Sequence, residues 1–251
     1  MKTITFIGNG NMALSIAKGL KNSYKIEVVG RSHNSLDNFE QKLGVNCTKV
    51  LYKDFDMQEK VVILCVKPAN VVEVGKILKG EASELYSVLA GTTIDILSKN
   101  INAKAIVRTM PNLCANIGAS MTTLTGSLIL KEKSVELFDA IGQTLWLDSE
   151  KQLDIATAVA GSGPAYLALI HEAFCDGAVK QGMKRADAIS VANGLFNGFG
   201  QLIPTIHSAI LKDNVMSPGG TTAAGYSALE KGNVRSSCID AIESAFMVTQ
   251  K

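Results

Sequence analysis

The sequence predicts an α/β protein in which a doubly wound, mostly parallel sheet is followed by an all-helical region. Three observations lead there. The chain opens with a β-branched run, a glycine turn and a helical pattern; short apolar runs then alternate with helical spacing; and beyond about residue 148 no further strand-like run occurs. A boundary between 148 and 149 divides the 251 residues into 1–148 and 149–251.

Thr3-Ile4-Thr5-Phe6-Ile7 reads as the first strand, and Gly8-Asn9-Gly10-Asn11-Met12-Ala13 follows it, ahead of Ile16, Ala17 and Leu20 at helical spacing. In a G-x-G-x-x-G/A fingerprint the first glycine turns the chain, the second lets a pyrophosphate approach the backbone, and the third small residue lets helix and strand pack closely. Gly8, Gly10 and Ala13 fill those roles, so with Asn9, Asn11 and Met12 they form a candidate dinucleotide cradle in a Rossmann-type domain. A second strand, Lys25-Ile26-Glu27-Val28-Val29-Gly30-Arg31, ends where the adenosine ribose belongs. An Asp or Glu there would accept from the ribose 2′-hydroxyl, whereas Arg31-Ser32-His33-Asn34 offers cationic and hydroxyl donors that suit a 2′-phosphate. NADPH is the expected cofactor, with NADH the weaker alternative.

Further strands are read at Val61-Val62-Ile63-Leu64-Cys65-Val66, Tyr86-Ser87-Val88-Leu89-Ala90, Ala105-Ile106-Val107, Met121-Thr122-Thr123-Leu124 and Thr144-Leu145-Trp146-Leu147. Continuous apolar runs of this kind suit strands buried on both faces. Ligands of open α/β sheets lie beyond the carboxyl ends of the strands, so Val66-Lys67-Pro68 and Ala90-Gly91-Thr92-Thr93 mark the expected cofactor cleft. Lys67 is a cation at a strand tip, able to hold hydroxyl or carboxylate groups near the nicotinamide.

From Leu153 to Gln181 the chain reads as a long helical stretch interrupted at Gly161-Ser162-Gly163-Pro164, where proline cannot continue a helix ladder. Between Ala186 and Leu211 the residues Ile189, Val191, Leu195, Phe199, Leu202 and Ile206 cover more than one helix face, and a second subunit is the simplest cover. A second glycine loop follows, Asp213-Asn214-Val215-Met216-Ser217-Pro218-Gly219-Gly220-Thr221-Thr222, directly ahead of another helical pattern. Amides entering a helix N-terminus have no intrahelical partner, and with the hydroxyls of Ser217, Thr221 and Thr222 they make a cradle for a carboxylate or phosphate. Either glycine loop alone is compatible with a simple turn. Two of them in one chain point to a cofactor and an anionic substrate.

The formal charge is +2 and only 6% of the residues are aromatic, which argues against a nucleic-acid partner. No run of consecutive apolar residues reaches the ~20 of a membrane span and the N-terminus leads straight into a strand, so a cytoplasmic protein without a membrane partner is expected. Five cysteines at 47, 65, 114, 175 and 238, without any C-x-x-C pair, indicate neither a zinc site nor a disulfide framework. His33, His171 and His207 have no partner at triad or metal spacing, and no metal site is expected. That pattern suits hydride transfer to a substrate that arrives already activated, such as a protonated cyclic imine.

These motifs, together with Arg108-Thr109-Met110-Pro111-Asn112 and Gly161-Ser162-Gly163-Pro164-Ala165-Tyr166, make the chain resemble the pyrroline-5-carboxylate reductases over its whole length. The resemblance implies an N-terminal Rossmann domain, a helical dimerisation domain, and an active site where one subunit's cofactor meets the helical domain of its partner; rings of dimers occur in the family. It implies that residues 217–222 grip the substrate carboxylate through Ser217, Gly219, Gly220 and Thr221, that Thr222 hydrogen-bonds the ring nitrogen, and that Asn214 and Glu150 lie near the substrate. It also implies that Val66, Lys67, Pro68, Ala90 and Gly91 run along the ribose and nicotinamide, with Thr222 and Lys67 nearest the reacting groups. Two positions depart from the family pattern: Tyr52-Lys53 stands where relatives often carry an asparagine that touches the cofactor, and Thr205 where some carry an acid. Two other readings stay open at this level. A β-hydroxyacid dehydrogenase would need a lysine poised on the helical domain, and an NADPH-binding scaffold would leave the second glycine loop without a role.

Overall fold

A computed structural model describes residues 1–250. The strands are β1 (Thr3–Ile7), β2 (Lys25–Gly30), β3 (Thr48–Leu51), β4 (Val61–Leu64), β5 (Glu84–Ser87), β6 (Ile106–Met110), β7 (Ser120–Gly126) and β8 (Gly142–Trp146). They form one sheet in the order β3-β2-β1-β4-β5-β6-β7-β8. Every neighbouring pair is parallel except β6 and β7, which run antiparallel. The chain reverses its direction of travel between β1 and β4, and that switch point opens a crevice beyond the strands' carboxyl ends.

Helices cover both faces. On one side α1 (Asn11–Leu20), α2 (His33–Leu43) and α5 (Lys131–Asp139) bury Ile16, Leu20, Leu36, Phe39 and Phe138 against Phe6, Val28 and Val107. On the other, α3 (Val71–Ile77) and α4 (Ile94–Asn100) bury Val71, Val74 and Leu97 against Ile7, Val62 and Leu64. Phe6 and Ile7 are adjacent in sequence yet serve opposite cores, as the two-residue pleat requires. This is why β4 reads as an unbroken apolar run and why β1 and β2 carry apolar residues at consecutive positions.

Several predicted strand limits move. β3 lies outside the predicted strands, because Thr48-Lys49-Val50-Leu51 is short and partly exposed at the sheet edge. β5 begins two residues before the predicted run and ends at Ser87; Leu89 is still buried, but in a loop. β6 continues past Val107 through a buried arginine to Met110.

The helical part begins with α6 (Glu150–Ala156), and no break follows at Pro164. Residues Thr157–Gly161 form a π turn, closed by the Ser162 N–H donating to the Thr157 carbonyl at 3.1 Å, and α7 (Gly163–Lys180) continues from it. Pro164 has no N–H to give the Ala160 carbonyl; Asn112 Nδ2 donates to that oxygen instead, at 2.9 Å. The interruption expected from sequence is therefore absorbed. The resulting helical run, Glu150–Lys180, is long and apolar enough by length and composition to cross a membrane.

The chain divides into two compact units, Met1–Pro164 with Ala245–Lys251, and Ala165–Ser244. The division falls after the π turn rather than at 148. The second unit holds most of α7, with α8 (Arg185–Leu202), α9 (Ser208–Val215), α10 (Thr221–Lys231) and the start of α11 (Val234–Thr249). Its buried cluster is small, centred on Cys175, Ala188 and Ala192, while Leu167, Leu169, Val191, Leu195, Phe199 and Ile239 stay exposed.

Candidate active site

In the sheet unit, β1 ends at a turn that only glycine fits. Gly8 has φ +103°, and a Cβ there would stand 2.7 Å from the Cys65 carbonyl oxygen of the strand next door. The turn is pinned by the Gly8 N–H donating to the Val29 carbonyl at 3.0 Å. Gly10 caps α1 in extended conformation without any side-chain hydrogen bond, and the helix carries no acid in its first turn. A Cβ on Gly10 would meet nothing within 4 Å, so the space over these amides is open. Ala13 is fully buried against β1, where a larger residue would push the helix away. A bare, positively polarised helix end with open room above it fits a pyrophosphate. A cleft of about 230 Å³ lies alongside, lined by Asn9, Gly10, Asn11, Ser35 and Lys42 among others.

At the end of β2, Gly30 leaves room for Leu36 and delivers Arg31 and Ser32 to the surface. Ser32 caps α2, its Oγ accepting from the Ser35 N–H at 3.4 Å, and this helix too has no acid in its first turn. Arg31 lines a second cleft, of about 490 Å³, together with Leu51, Tyr52, Lys53, Glu73, Val74 and Ile77. Burial raises the Tyr52 hydroxyl above its ordinary pKa, partly offset by the Arg31 charge nearby. Arg31, the capping Ser32 and the N-terminus of α2 follow one another directly at the end of β2.

The remaining residues expected along the cofactor follow β4 and β5. Lys67 is exposed and precedes a short 3-10 turn, Pro68–Asn70, while Val66 is half-buried. Ala90 is exposed, and Gly91, at φ +64°, turns the chain toward the cap of α4 at Thr93. Beneath the Gly8 turn, desolvation pushes the Cys65 thiol well up, so it is a neutral neighbour.

A buried ion network, not singled out as such from sequence, braces this end of the sheet. Arg108 on β6 is 1% exposed; its Nη1 donates to Glu150 Oε1 at 2.9 Å and its Nη2 to Asp154 Oδ1 at 2.7 Å. Glu150 Oε1 also accepts from the Ile94 N–H at 2.8 Å, tying the start of α4 to the start of α6. Arg108 Nε has no partner. The signal was available: an arginine set among Ile106, Val107 and Met110 in a strand needs a carboxylate, and Glu150 and Asp154 lie one helical turn apart.

The helical unit carries the second glycine loop. α9 ends at Val215; Ser217 and Pro218 turn the chain; Gly219 takes φ +68°. The Gly220 N–H donates to the Ser217 carbonyl at 3.0 Å, and a Cβ on Gly220 would press within 2.4 Å of Ser217 Oγ. Gly220 caps α10 with no side-chain hydrogen bond and no acid in the first turn. Ser217 and Thr221 are exposed, Thr222 is half-buried, and Asn214 lies exposed on α9. As at the first loop, a helix N-terminus without a side-chain cap follows two glycines; here hydroxyls flank it as well.

Two of the three histidines are occupied locally. His171 Nε2 pairs with Asn193 Oδ1 at 3.0 Å, and His207 Nδ1 caps α9 by accepting from the Ala209 N–H at 3.3 Å. Among the described residues no group of three or more His, Cys, Asp or Glu side chains is placed to hold a metal.

Comparison with known proteins gives this geometry a family. The model described as pyrroline-5-carboxylate reductase dimerisation matches residues 150–251, and one described as NADP oxidoreductase coenzyme F420-dependent matches residues 3–90. A pyrroline-5-carboxylate reductase from Synechocystis sp. is 36% identical, over 98% of this chain and 96% of the relative. The chain belongs to the pyrroline-5-carboxylate reductase family. An Arabidopsis thaliana reductase is likewise 36% identical, over 96% of this chain and 92% of the relative. The crystal structure of 1-pyrroline-5-carboxylate reductase from Streptococcus pyogenes superposes with a TM-score of 0.89 at 30% identity, covering 99% of this chain and 98% of the other. The reductase from Coxiella burnetii gives 0.80 at 32% identity, covering 98% and 97%.

Proposed function

We propose that this chain is an oxidoreductase that reduces L-1-pyrroline-5-carboxylate to L-proline, the last step of proline synthesis, with NADPH as cofactor. The observation that carries the reading is the uncapped entry to α10: Gly219 at φ +68°, Gly220 as a bare cap, and three hydroxyls around amides that lack partners. Full-length similarity to reductases of this name supplies the substrate class.

When bound, NADPH supplies the hydride that C5 of the ring receives. The protein's work is to hold and orient. The Thr221 amide, with Ser217 Oγ, grips the carboxylate, Gly219 and Gly220 shape the backbone that presents them, and the helix end is worth most there because the charge sits within its first turn. The ring N–H of the protonated imine donates to Thr222 Oγ1, which fixes the ring's orientation. Reduction of an iminium discharges its positive charge and needs no general acid at carbon, in keeping with a loop that offers hydroxyls and amides. Asn214 and Glu150 are assigned to the substrate's surroundings, although Glu150 Oε1 is already engaged by Arg108 and Ile94 and only Oε2 is available to it. In the sheet unit, Gly8, Asn9, Gly10, Asn11, Met12 and Ala13 form the pyrophosphate turn, Arg31 and Ser32 take the 2′-phosphate, and Val66, Lys67, Pro68, Ala90 and Gly91 border the ribose and nicotinamide.

We assign the exposed apolar residues of α7 and α8 to a subunit interface, in line with the dimerisation match over residues 150–251, and regard the cytoplasm as its setting. Assembly of the dimers into larger rings is part of this proposal. Purified protein mixed with NADPH and pyrroline-5-carboxylate should lose nicotinamide absorbance in step with proline formation. Loss of absorbance without proline, or no loss, would refute the reading.

A further inference from the structure

The cleft beside Arg31 holds a second cation. Lys53 lies in the 3-10 turn Tyr52–Asp54, between two buried aromatic anchors: Tyr52 is 9% exposed and Phe55 2%. The Phe55 N–H closes this turn on the Tyr52 carbonyl. Because both flanks are packed, the backbone at Lys53 is held in place while its side chain is exposed on the cleft wall. Arg31 reaches the same cleft from the end of β2. Among the described residues neither cation has a carboxylate within 4.0 Å, unlike Lys49, Lys60 and Lys104, which are all paired. Glu73 is the only acid on the cleft lining, so two positive charges face one negative. The other walls, Leu51, Val74 and Ile77, are apolar and suit the flat face of a purine.

We propose that Lys53 and Arg31 act as a two-cation clamp on the 2′-phosphate of the cofactor, so that Lys53 sets this enzyme's preference for the phosphorylated dinucleotide. The inference rests on the cofactor reading given above. Two strand ends supply the clamp: Arg31 from β2 and Lys53 from the turn after β3. A phosphate dianion between two unpaired cations gains at both, whereas a bare ribose hydroxyl gains little from either. The departure of Tyr52-Lys53 from the family asparagine thus acquires a role: the tyrosine anchors the turn and the lysine presents charge.

The test is equilibrium binding of adenosine 2′,5′-bisphosphate and of 5′-AMP to the protein by calorimetry, with no turnover involved. Lys53→Ala should weaken the 2′-phosphorylated nucleotide by about tenfold, the scale of a charge-assisted contact at a partly hydrated site, and leave 5′-AMP within about twofold. Lys53→Arg should restore most of the difference. The native preference should also narrow as salt rises, since exposed charge pairs are screened. An unchanged preference in Lys53→Ala, or equal weakening of both nucleotides, overturns the clamp. If the native protein itself does not prefer the bisphosphate, the cofactor reading fails and the clamp falls with it.

Discussion

Replacing Arg108 with Met removes the one positive charge that holds two carboxylates at the end of the sheet. The arginine is 1% exposed, and its bonds to Glu150 and Asp154 measure 2.9 and 2.7 Å. The Asp154 side chain is 9% exposed and the Glu150 side chain 34%, so the penalty falls mainly on Asp154, which water reaches least. Breaking a buried pair on one side costs about 3–5 kcal/mol; with Glu150 partly hydrated the lower end, about 3 kcal/mol, is expected. At about 2–4 °C per kcal/mol for a unit of this size, the first thermal transition should fall by about 6–12 °C. The double variant Arg108→Met with Asp154→Leu removes the stranded charge as well and should recover most of the loss. Differential scanning calorimetry on the three proteins decides. A single variant within about 1 °C of the native protein, or a double variant less stable than the single, would refute the account of Arg108 as the neutralising centre of this network.

Gly8 and Gly10 should separate folding from binding. Gly8→Ala forces a Cβ to 2.7 Å from the Cys65 carbonyl at φ +103° and should destabilise the sheet unit by about 1–3 kcal/mol, while Gly10→Ala meets no neighbour and should keep the melting temperature but weaken cofactor binding in a fluorescence titration. Thr222→Ala should lower kcat by about ten- to a hundredfold with cofactor affinity held within about twofold, the cost of one hydrogen bond to a charged group; full activity would remove the hydroxyl from the mechanism. Stability should decline on the alkaline side. Burial holds the Cys47 proton to about 11 in the folded chain, whereas an unfolded thiol gives it up near 9.0, so between those values the unfolded state binds fewer protons and stability, fully present below the window, falls as pH rises through it. Urea midpoints at about pH 8 and about pH 10.5 would show the drop, and Cys47→Ala should lessen it.

Much of this architecture was legible because physics wrote it locally. Gly8, Gly10 and Ala13 announce themselves by spacing, and the fold gives them in turn a positive-φ bend, open space beside the backbone and a buried helix contact. The inner strands were legible because both faces are covered, so apolar residues fill consecutive positions. What escaped depended on distant partners. β3 sits at an edge, so burial imposes no apolar pattern on Thr48-Lys49-Val50-Leu51. Arg108 reads as the close of a strand, yet Glu150 and Asp154, more than forty residues later, let it remain inside one. Pro164 reads as a break because the sequence does not reveal that Asn112 takes over the carbonyl it abandons. The second glycine loop lies between: Gly219 and Gly220 are legible as a turn into a helix, but the absence of any side-chain cap on α10 is a structural fact.

The most direct measurement follows the hydride itself. NADPH deuterated at both C4 positions of the nicotinamide, incubated with the protein and pyrroline-5-carboxylate, should yield proline carrying one deuterium at C5, detected by mass spectrometry and NMR. Proline without the label, or consumption of the cofactor with the label in another product, would contradict the assignment of this chain to imine reduction.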